Sequence, residues 1–322
     1  MSDLAVKRED RVLVLGATGF VGRRLVSELI KKNFKLRLLV RDPSRISELI
    51  PGGADVEVLS GDIVKNQGLE QALEGIHSAY YLVHSLGGKT IYKNTEFASK
   101  DKDAANNFLD AANKSRLKRV LYLGGLGEAG KGLSEHLKSR AEVAQILSSG
   151  NPSVTVLRAA VIVGAGGASF EMLRYLVERL PVMTCPKWIN TKIQPIAIQD
   201  VIQYLVGCLM NPKTAGKTFD IGGPDILTYK TMMQQYAEAR GLASRFVVTL
   251  PLLKPRLSAY WVDLVTPVSS GIAHPLIEGM KNEVVCRDNR IDEFVPIEKT
   301  PFREAVKTAF SEETRGPGKT GF

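Results

Sequence analysis

The chain is poor in the residues that build metal centres and disulfide scaffolds: three cysteines and four histidines among 322 residues. Cys185, Cys208 and Cys286 lie far apart, form no CxxC and have no histidine at ligand spacing. That pattern argues against a disulfide framework or a zinc site, predicts no metal, and fits a reducing cytoplasm. Long apolar runs are also missing. VTVLRAAVIVGAG is short and broken by Arg158, so no membrane span is expected, and MSDLAVKRED lacks the apolar core of a secretion signal. No internal repeat or low-complexity insert occurs. The formal net charge of +9 is spread through the chain, with modest groups such as KKNFKLR and the KSRLKR before Val120. No arginine-rich run interleaves with aromatics, so this charge reads as solvated surface and no nucleic-acid partner is expected.

What the chain does have is alternation. RVLVLG, KLRLLV, VEVLS, SAYYLV, RVLYLG and SVTVLRAAVIV read as strands, with the amphipathic patterns VGRRLVSELIKK, TEFASKDKDAANNFLDAANK and LSEHLKSRAEVAQIL between several of them. Strand and helix in turn predict an α/β class: βαβ units in a Rossmann-type, doubly wound parallel sheet covered on both faces. After Gly164 the rhythm becomes mostly helical. FEMLRYLVERL stops at Pro181, VIQYLVGCLM packs back on the sheet, KTFDIGG is a short strand, and TYKTMMQQYAEARG closes on a glycine. These boundaries predict a tail over 1–10 and a dinucleotide-type domain over 11–165, to which 192–222 returns. A smaller C-terminal substrate lobe takes 166–191 and 223–310, and a flexible tail takes 311–322.

VLVLGATGFVGRRLV carries the strongest chemical signal. A strand runs into Gly16, Ala17, Thr18, Gly19, Phe20, Val21 and Gly22, and a helix follows. Glycine permits the tight turn and lets backbone approach a diphosphate, while the helix start offers free N–H groups and partial positive charge. The spacing is GxxGxxG, so the strand–turn–helix context makes the case for a dinucleotide. In LLVRDPSR, at the end of the second strand, Arg41 suits the 2′-phosphate of NADP, with Ser44 and Arg45 as helpers. Asp42 follows directly and keeps NAD possible.

These motifs resemble the short-chain dehydrogenase/reductase superfamily in its extended and atypical branches, in particular NmrA-like, epimerase-annotated NAD(P)H-binding proteins. GATGFVG resembles their phosphate loop and VRDPSR their NADP-type second strand. SGDI, with Asp62 and Ile63, resembles their adenine contact. YYLVHS, with Val83, His84 and Ser85, resembles the strand end beneath the nicotinamide. QPIAIQDV, ending at Asp200 and Val201, and TFDIGGPDILTYKTMM resemble later segments of the same fold, so the likeness covers roughly residues 11 to 310.

The resemblance implies a Tyr and a Lys in a YxxxK pattern on the helix after strand five, with a Ser just before it. Here His136 stands at the Tyr position, Arg140 at the Lys position, and Gly124 and Gly125 in the serine region. Arg140 keeps a charge for the nicotinamide ribose. His136 is a candidate proton donor or acceptor, and His84 and Ser85 are the next polar candidates. Phe170 and Gln194, with Glu171, Arg174 and Trp188 near them, fall in zones that face substrate in extended members. The blander reading of Phe170 is core, and of Glu171 with Arg174 an ion pair. The expected activity is hydride transfer between NADP and a small organic substrate. A non-catalytic NADPH-binding sensor or assembly protein is the alternative, and a nucleotide-sugar epimerase or dehydratase a second one. Oligomeric state stays open.

Overall fold

The computed structural model describes residues 2–84, 94–127, 134–249, 265–268 and 270–314. β1 (Arg11–Leu15) leads into α1 (Phe20–Lys31), β2 (Lys35–Val40) into a short α2 (Ser44–Ser47), and β3 (Val56–Ser60) into α3 (Leu69–Leu73). β4 (Ile76–Tyr81), α4 (Asn94–Lys114), β5 (Arg119–Gly125), α5 (Glu135–Ser148) and β6 (Ser153–Ala159) continue the alternation. Next come β7 (Ile162–Val163), α6 (Ala168–Arg179), β8 (Val182–Cys185), β9 (Lys192–Ile193), β10 (Ile196–Ala197) and α7 (Ile198–Met210). β11 (Thr218–Ile221), β12 (Leu227–Thr228), α8 (Tyr229–Ala239) and β13 (Phe246–Thr249) follow, then α9 (Ser270–Gly279), α10 (Ile291–Phe294) and α11 (Phe302–Thr314).

Seven strands form one sheet in the order β3-β2-β1-β4-β5-β6-β11, and every neighbouring pair is parallel. The order reverses direction between β1 and β4, which leaves a crevice at the carboxyl ends of those strands where such sheets take ligands. Its strands read as unbroken apolar runs because both faces are covered. Val12, Val14, Leu25 and Leu29 pack with Leu205 and Phe219 on the α1–α7 side. Leu13, Leu15, Phe108, Val120 and Tyr122 pack with Val143 on the α4–α5 side. In α1 the buried residues Gly22, Leu25, Val26 and Leu29 recur at helical spacing, and each large one contributes about 1.5–3 kcal/mol by leaving water. The second lobe has its own core, with Phe170, Met172, Tyr236, Ile277, Phe302 and Val306.

Several boundaries differ from expectation. The first residues are not a loose tail: Ser2–Leu4 forms a 3-10 turn, and Asp3 pairs with Lys118 at 2.8 Å. The first part of the expected return does not join the seven-stranded sheet: β9 pairs with β12 and β10 with β7, and the chain comes back to that sheet through α7 and β11. Within 223–310, α10 packs on the sheet side, where Phe294 meets Phe219 with ring centroids 5.5 Å apart. The expected tail from 311 opens with the last turn of α11, since the buried stripe Phe302, Ala305, Val306 and Ala309 holds that helix. SVTVLRAAVIV divides into β6 and β7. Trp261 lies outside the described residues.

The largest correction concerns charge. Arg119, from the basic group expected to be solvated, is fully buried at 0% exposure. Its guanidinium donates to the carbonyls of Cys208 (2.9 Å) and Leu209 (3.0 Å) and to the Thr214 hydroxyl (3.0 Å). Those carbonyls close α7, so the cation sits at the negative end of a helix dipole and supplies donors that the helix end lacks. Replacing Arg119 with Met leaves these acceptors buried and unpaired. The expected cost is roughly 2–4 kcal/mol of unfolding free energy in urea, and an unchanged midpoint contradicts this role.

Candidate functional site

The loop after β1 is built for a close approach. Gly16 has φ +83°, and a Cβ there would lie 2.6 Å from the Leu82 carbonyl oxygen. A Cβ on Gly22 would collide with the Gly16 carbonyl, so that glycine lets α1 press against the turn. Gly19 N–H donates to Gly16 O at 3.0 Å and closes the turn. No side chain caps α1, and the amides of Phe20, Val21 and Gly22 have no backbone acceptor among the described residues. Gly19 is exposed, Thr18 half-buried, and Ala17 fully buried in the core beneath. Phe20 lies against the Gly164 and Gly167 turn and stacks under Arg24, 4.6 Å from its ring centre.

At the end of β2, Asp42 is tied to its own turn. Its carboxylate accepts from the Ser44 amide (3.0 Å) and hydroxyl (2.6 Å), and these bonds hold its pKa below the usual carboxylate value. Ser44 is thereby spent on Asp42, whereas Arg41 is exposed with no partner among the described residues. Arg23, which sequence reading passed over, donates from α1 to the Arg45 carbonyl at 2.8 Å and keeps an unpaired Nε. Asp62 accepts from the Val64 amide at 2.9 Å inside a tight loop, and Ile63 is nearly buried. Asn107 of α4 braces this loop by donating to the carbonyls of Ile63 (3.0 Å) and Val64 (3.1 Å).

Past β4 and at the start of α5 the other candidates converge. Val83 packs on the core, His84 keeps an exposed face, and Ser85 lies outside the described residues. His136 is half-buried, with no hydrogen-bond partner for its ring among the described residues. Arg140 is 5% exposed and ion-paired to Asp101, which also accepts from the Ser139 hydroxyl at 3.2 Å. Arg140 Nε is buried without a hydrogen-bond partner among the described residues. Tyr122 donates to the Arg140 carbonyl at 3.1 Å, and Tyr81 stands edge-on to Tyr122. Burial raises the pKa of both phenols, so they stay protonated. The space beside Gly124 is bounded by the Tyr122 ring, and that beside Gly125 by Leu137 and Arg140.

Asp101, which no sequence motif singled out, is the buried partner that positions Arg140. It was legible in principle: Asp101 stands three, four and seven residues before the buried Ala104, Ala105 and Phe108. An acid on the apolar face of a helix requires a buried partner.

Two substrate candidates are corrected. Phe170 is 0% exposed and packs on Tyr236 and Phe310, so its ring belongs to the core of the second lobe. Gln194 spends both ends of its amide, donating to Gly223 O at 2.7 Å and accepting from the Cys286 amide at 3.0 Å. Glu171 folds back on the glycine turn, accepting from Gly166 N–H at 2.9 Å, with Arg174 3.5 Å away. Trp188 packs edge-on to Tyr229. Among the described residues no cluster of three or more His, Cys, Asp or Glu could hold a metal, and no helix is long and apolar enough to cross a membrane.

The residues present fit a dinucleotide. The glycine cradle and the α1 amides suit its diphosphate, and Arg140 Nε is a buried donor without a partner among the described residues. Burial, followed by the Arg140 charge, pushes His136 down to about 3 and His84 to about 4 from the ordinary 6.5. Both imidazoles are therefore neutral near pH 7. The unfolded chain protonates them near 6.5, so their contribution to stability is full above that pH and is lost as pH falls toward 4. Thermal melts between about pH 7.5 and about pH 4.5 should slope less steeply for His136→Asn than for the native protein. Parallel slopes contradict a neutral, buried His136.

Comparison with known proteins agrees with this geometry. Residues 16–162 match the NAD(P)H-binding family. The mitochondrial NADH dehydrogenase (ubiquinone) 1 alpha subcomplex subunit 9 of Arabidopsis thaliana is 26% identical over 222 residues, 67% of this chain and 54% of that protein. The chain thus spans about half the length of that relative. The ceramide reductase of Caulobacter vibrioides is 25% identical over 239 residues, 73% of this chain and 72% of its own. In fold, the NADPH-dependent quinone oxidoreductase of Escherichia coli, complexed with NADPH, is similar with a TM-score of 0.72 at 17% identity, covering 93% of this chain and 99% of that one. The segment that matches the NAD(P)H-binding family, residues 16–162, is carried here on a seven-stranded parallel sheet with a mostly helical C-terminal lobe.

Proposed function

We propose that the chain is an NADPH-dependent oxidoreductase that reduces a carbonyl or related group on a small organic substrate. The observation that carries this reading is the cluster at the crevice: neutral His136 beside Arg140, whose buried Nε has no hydrogen-bond partner among the described residues. Arg41 favours NADP, because Asp42 is occupied by Ser44 and leaves the guanidinium as the open group at that strand end. The bound nicotinamide supplies the hydride. Arg140 would hold the ribose hydroxyls from below, fixed in place by Asp101. A neutral imidazole is a poor acid, so His136 would act as a hydrogen-bond donor that polarises the substrate oxygen, with water delivering the proton. This differs from the Tyr role that the resemblance implies.

A second reading follows from the same cluster. Where Tyr, Lys and Ser would stand, the chain has His136, Arg140 and Gly124–Gly125, and Arg140 is already ion-paired. Such a chain can bind NADPH and signal or stabilise through it without turnover.

Thermal-shift and calorimetric titrations test the cofactor. NADPH should bind more tightly than NADH, and Arg41→Ala should weaken NADPH by about tenfold or more while leaving NADH unchanged, as for loss of one charge-assisted hydrogen bond. Equal losses for both coenzymes remove Arg41 from cofactor choice. Turnover is then read as NADPH oxidation with aldehydes, enones, quinones and imines. Oxidation that is lost in His136→Ala with unchanged NADPH affinity supports the enzyme. Tight binding with no turnover across the panel supports the non-catalytic reading.

A further inference from the structure

A short parallel sheet in the second lobe leaves its outer face uncovered. β8 and β13 pair with Val182 beside Phe246 and Thr184 beside Val248, and no third strand joins them among the described residues. Side chains alternate across a strand, so Met183, Cys185 and Val247 turn inward onto the core while those four turn out. Phe246 is 72% exposed, Val182 59% and Val248 39%. Two strands alone make a marginal sheet, and the inward side chains hold this one. Apolar residues scattered singly are ordinary on a surface, but neighbouring ones mark a place of contact.

Cations gather at the end of this sheet where exposure is greatest. Both strands begin at the close of α6, and the Phe246 amide donates to the Pro181 carbonyl at 2.9 Å. Arg245, just before Phe246, donates from Nε to the Val177 carbonyl in the last turn of that helix at 2.7 Å. Arg179, the final residue of α6, donates to the Val265 carbonyl at 2.6 Å. Both guanidinium groups are thus anchored by carbonyls and keep their charge. The bordering acids are occupied elsewhere. Glu178 lies 3.3 Å from Arg240 and 3.5 Å from Arg174, and Glu238 pairs with Arg303. The sequence carries the same bias. Residues 179–199 hold Arg179, Lys187 and Lys192 and no acid, and residues 239–262 hold Arg240, Arg245, Lys254 and Arg256 and no acid.

Apolar side chains and cations on one face select the partner. An anionic lipid surface meets both requirements at once, with an apolar layer for Phe246, Val182 and Val248 and negative headgroups at its edge for Arg179 and Arg245. A second copy of the chain seated here would bring these cations against their own counterparts. A polynucleotide would leave the apolar side chains unmatched. Docking of this kind is peripheral and needs no spanning helix.

We propose that the β8–β13 face of the second lobe docks on a bilayer surface rich in anionic lipid, with Phe246 and Val182 entering the interface and Arg179 and Arg245 at headgroup level. The proposal rests neither on the cofactor nor on turnover. Vesicle flotation with the full chain tests it. Vesicles of phosphatidylcholine with about 30% phosphatidylserine should carry the protein. Phosphatidylcholine alone should bind at least about twentyfold more weakly, since two cations near an anionic surface contribute about fivefold each. Raising salt from about 0.1 M to about 0.5 M should weaken the anionic binding by about tenfold or more. Phe246→Ser should lower affinity for the anionic vesicles about tenfold, and Phe246→Leu should stay within about threefold of the native chain. Val182→Ser, on the neighbouring strand, gives an independent reading and should lower it about fivefold. Both serine variants replace exposed side chains, so their thermal melts should match the native one. No binding to the anionic vesicles, equal binding to the neutral ones, or native binding by both serine variants each overturns the proposal. A concentration-dependent dimer that Phe246→Ser dissociates, with no vesicle binding, assigns the face to a second copy and overturns it too.

Discussion

A buried guanidinium and its carboxylate set the terms of the crevice. Arg140 on α5 and Asp101 on α4 are each almost fully enclosed, and Ser139 adds a second bond to the same carboxylate. Taking two charges out of water costs several kcal/mol per ion, which only tight pairing and further hydrogen bonds offset. The pair therefore locks α4 to α5 directly beside the strand ends where a nicotinamide would lie. It also fixes the electrostatics around it. Partial burial and the nearby Arg140 charge hold His136 and His84 neutral, and full burial keeps the phenols of Tyr81 and Tyr122 protonated. The polar groups of the cluster are thus hydrogen-bond donors rather than acids, and the proposed chemistry follows from that.

The chain buries a second arginine by different means. Arg119 has no carboxylate among its hydrogen-bond partners and is met by helix-end carbonyls and threonine hydroxyls. A helix C-terminus carries only about half an elementary charge, enough to orient a cation and use its donors. The two solutions divide along function. Arg119 welds β5 to α7 on the sheet side away from the cluster and has every reason to stay put. Each keeps a buried Nε with no hydrogen-bond partner among the described residues, and that of Arg140 lies beside the crevice.

Particular residues show how far sequence reasoning reaches. The glycine turn after β1 was legible because its demands are local: φ at Gly16 and the close packing of Gly22 against the turn are properties of a few consecutive residues. The strands and α1 were legible because burial on both faces, or on one stripe, writes a period into the chain. Asp101 and Arg119 were not found, for the same reason in each case. A charged residue in a polar-looking stretch is indistinguishable from surface until its partner, 39 residues away for Asp101 and 90 for Leu209 and Arg119, is brought beside it. Phe170 and Gln194 failed in the opposite direction. The resemblance implied a substrate-facing zone there, but one ring fills the second core and one amide staples three segments.

The sequence by itself determined the parallel α/β architecture, the glycine turn between β1 and α1, and the His136 and Arg140 pair on one face of α5. These depend on hydrophobic period and on short-range backbone geometry, both of which are written residue by residue. Only the tertiary structure decided which charges are buried, that Asp42 is turned away by Ser44, and that Val182 and Phe246 share one exposed face. Electrostatic environment depends on distance through space and on exclusion of water. Neither is encoded in order along the chain until the sheet and the second lobe close over one another.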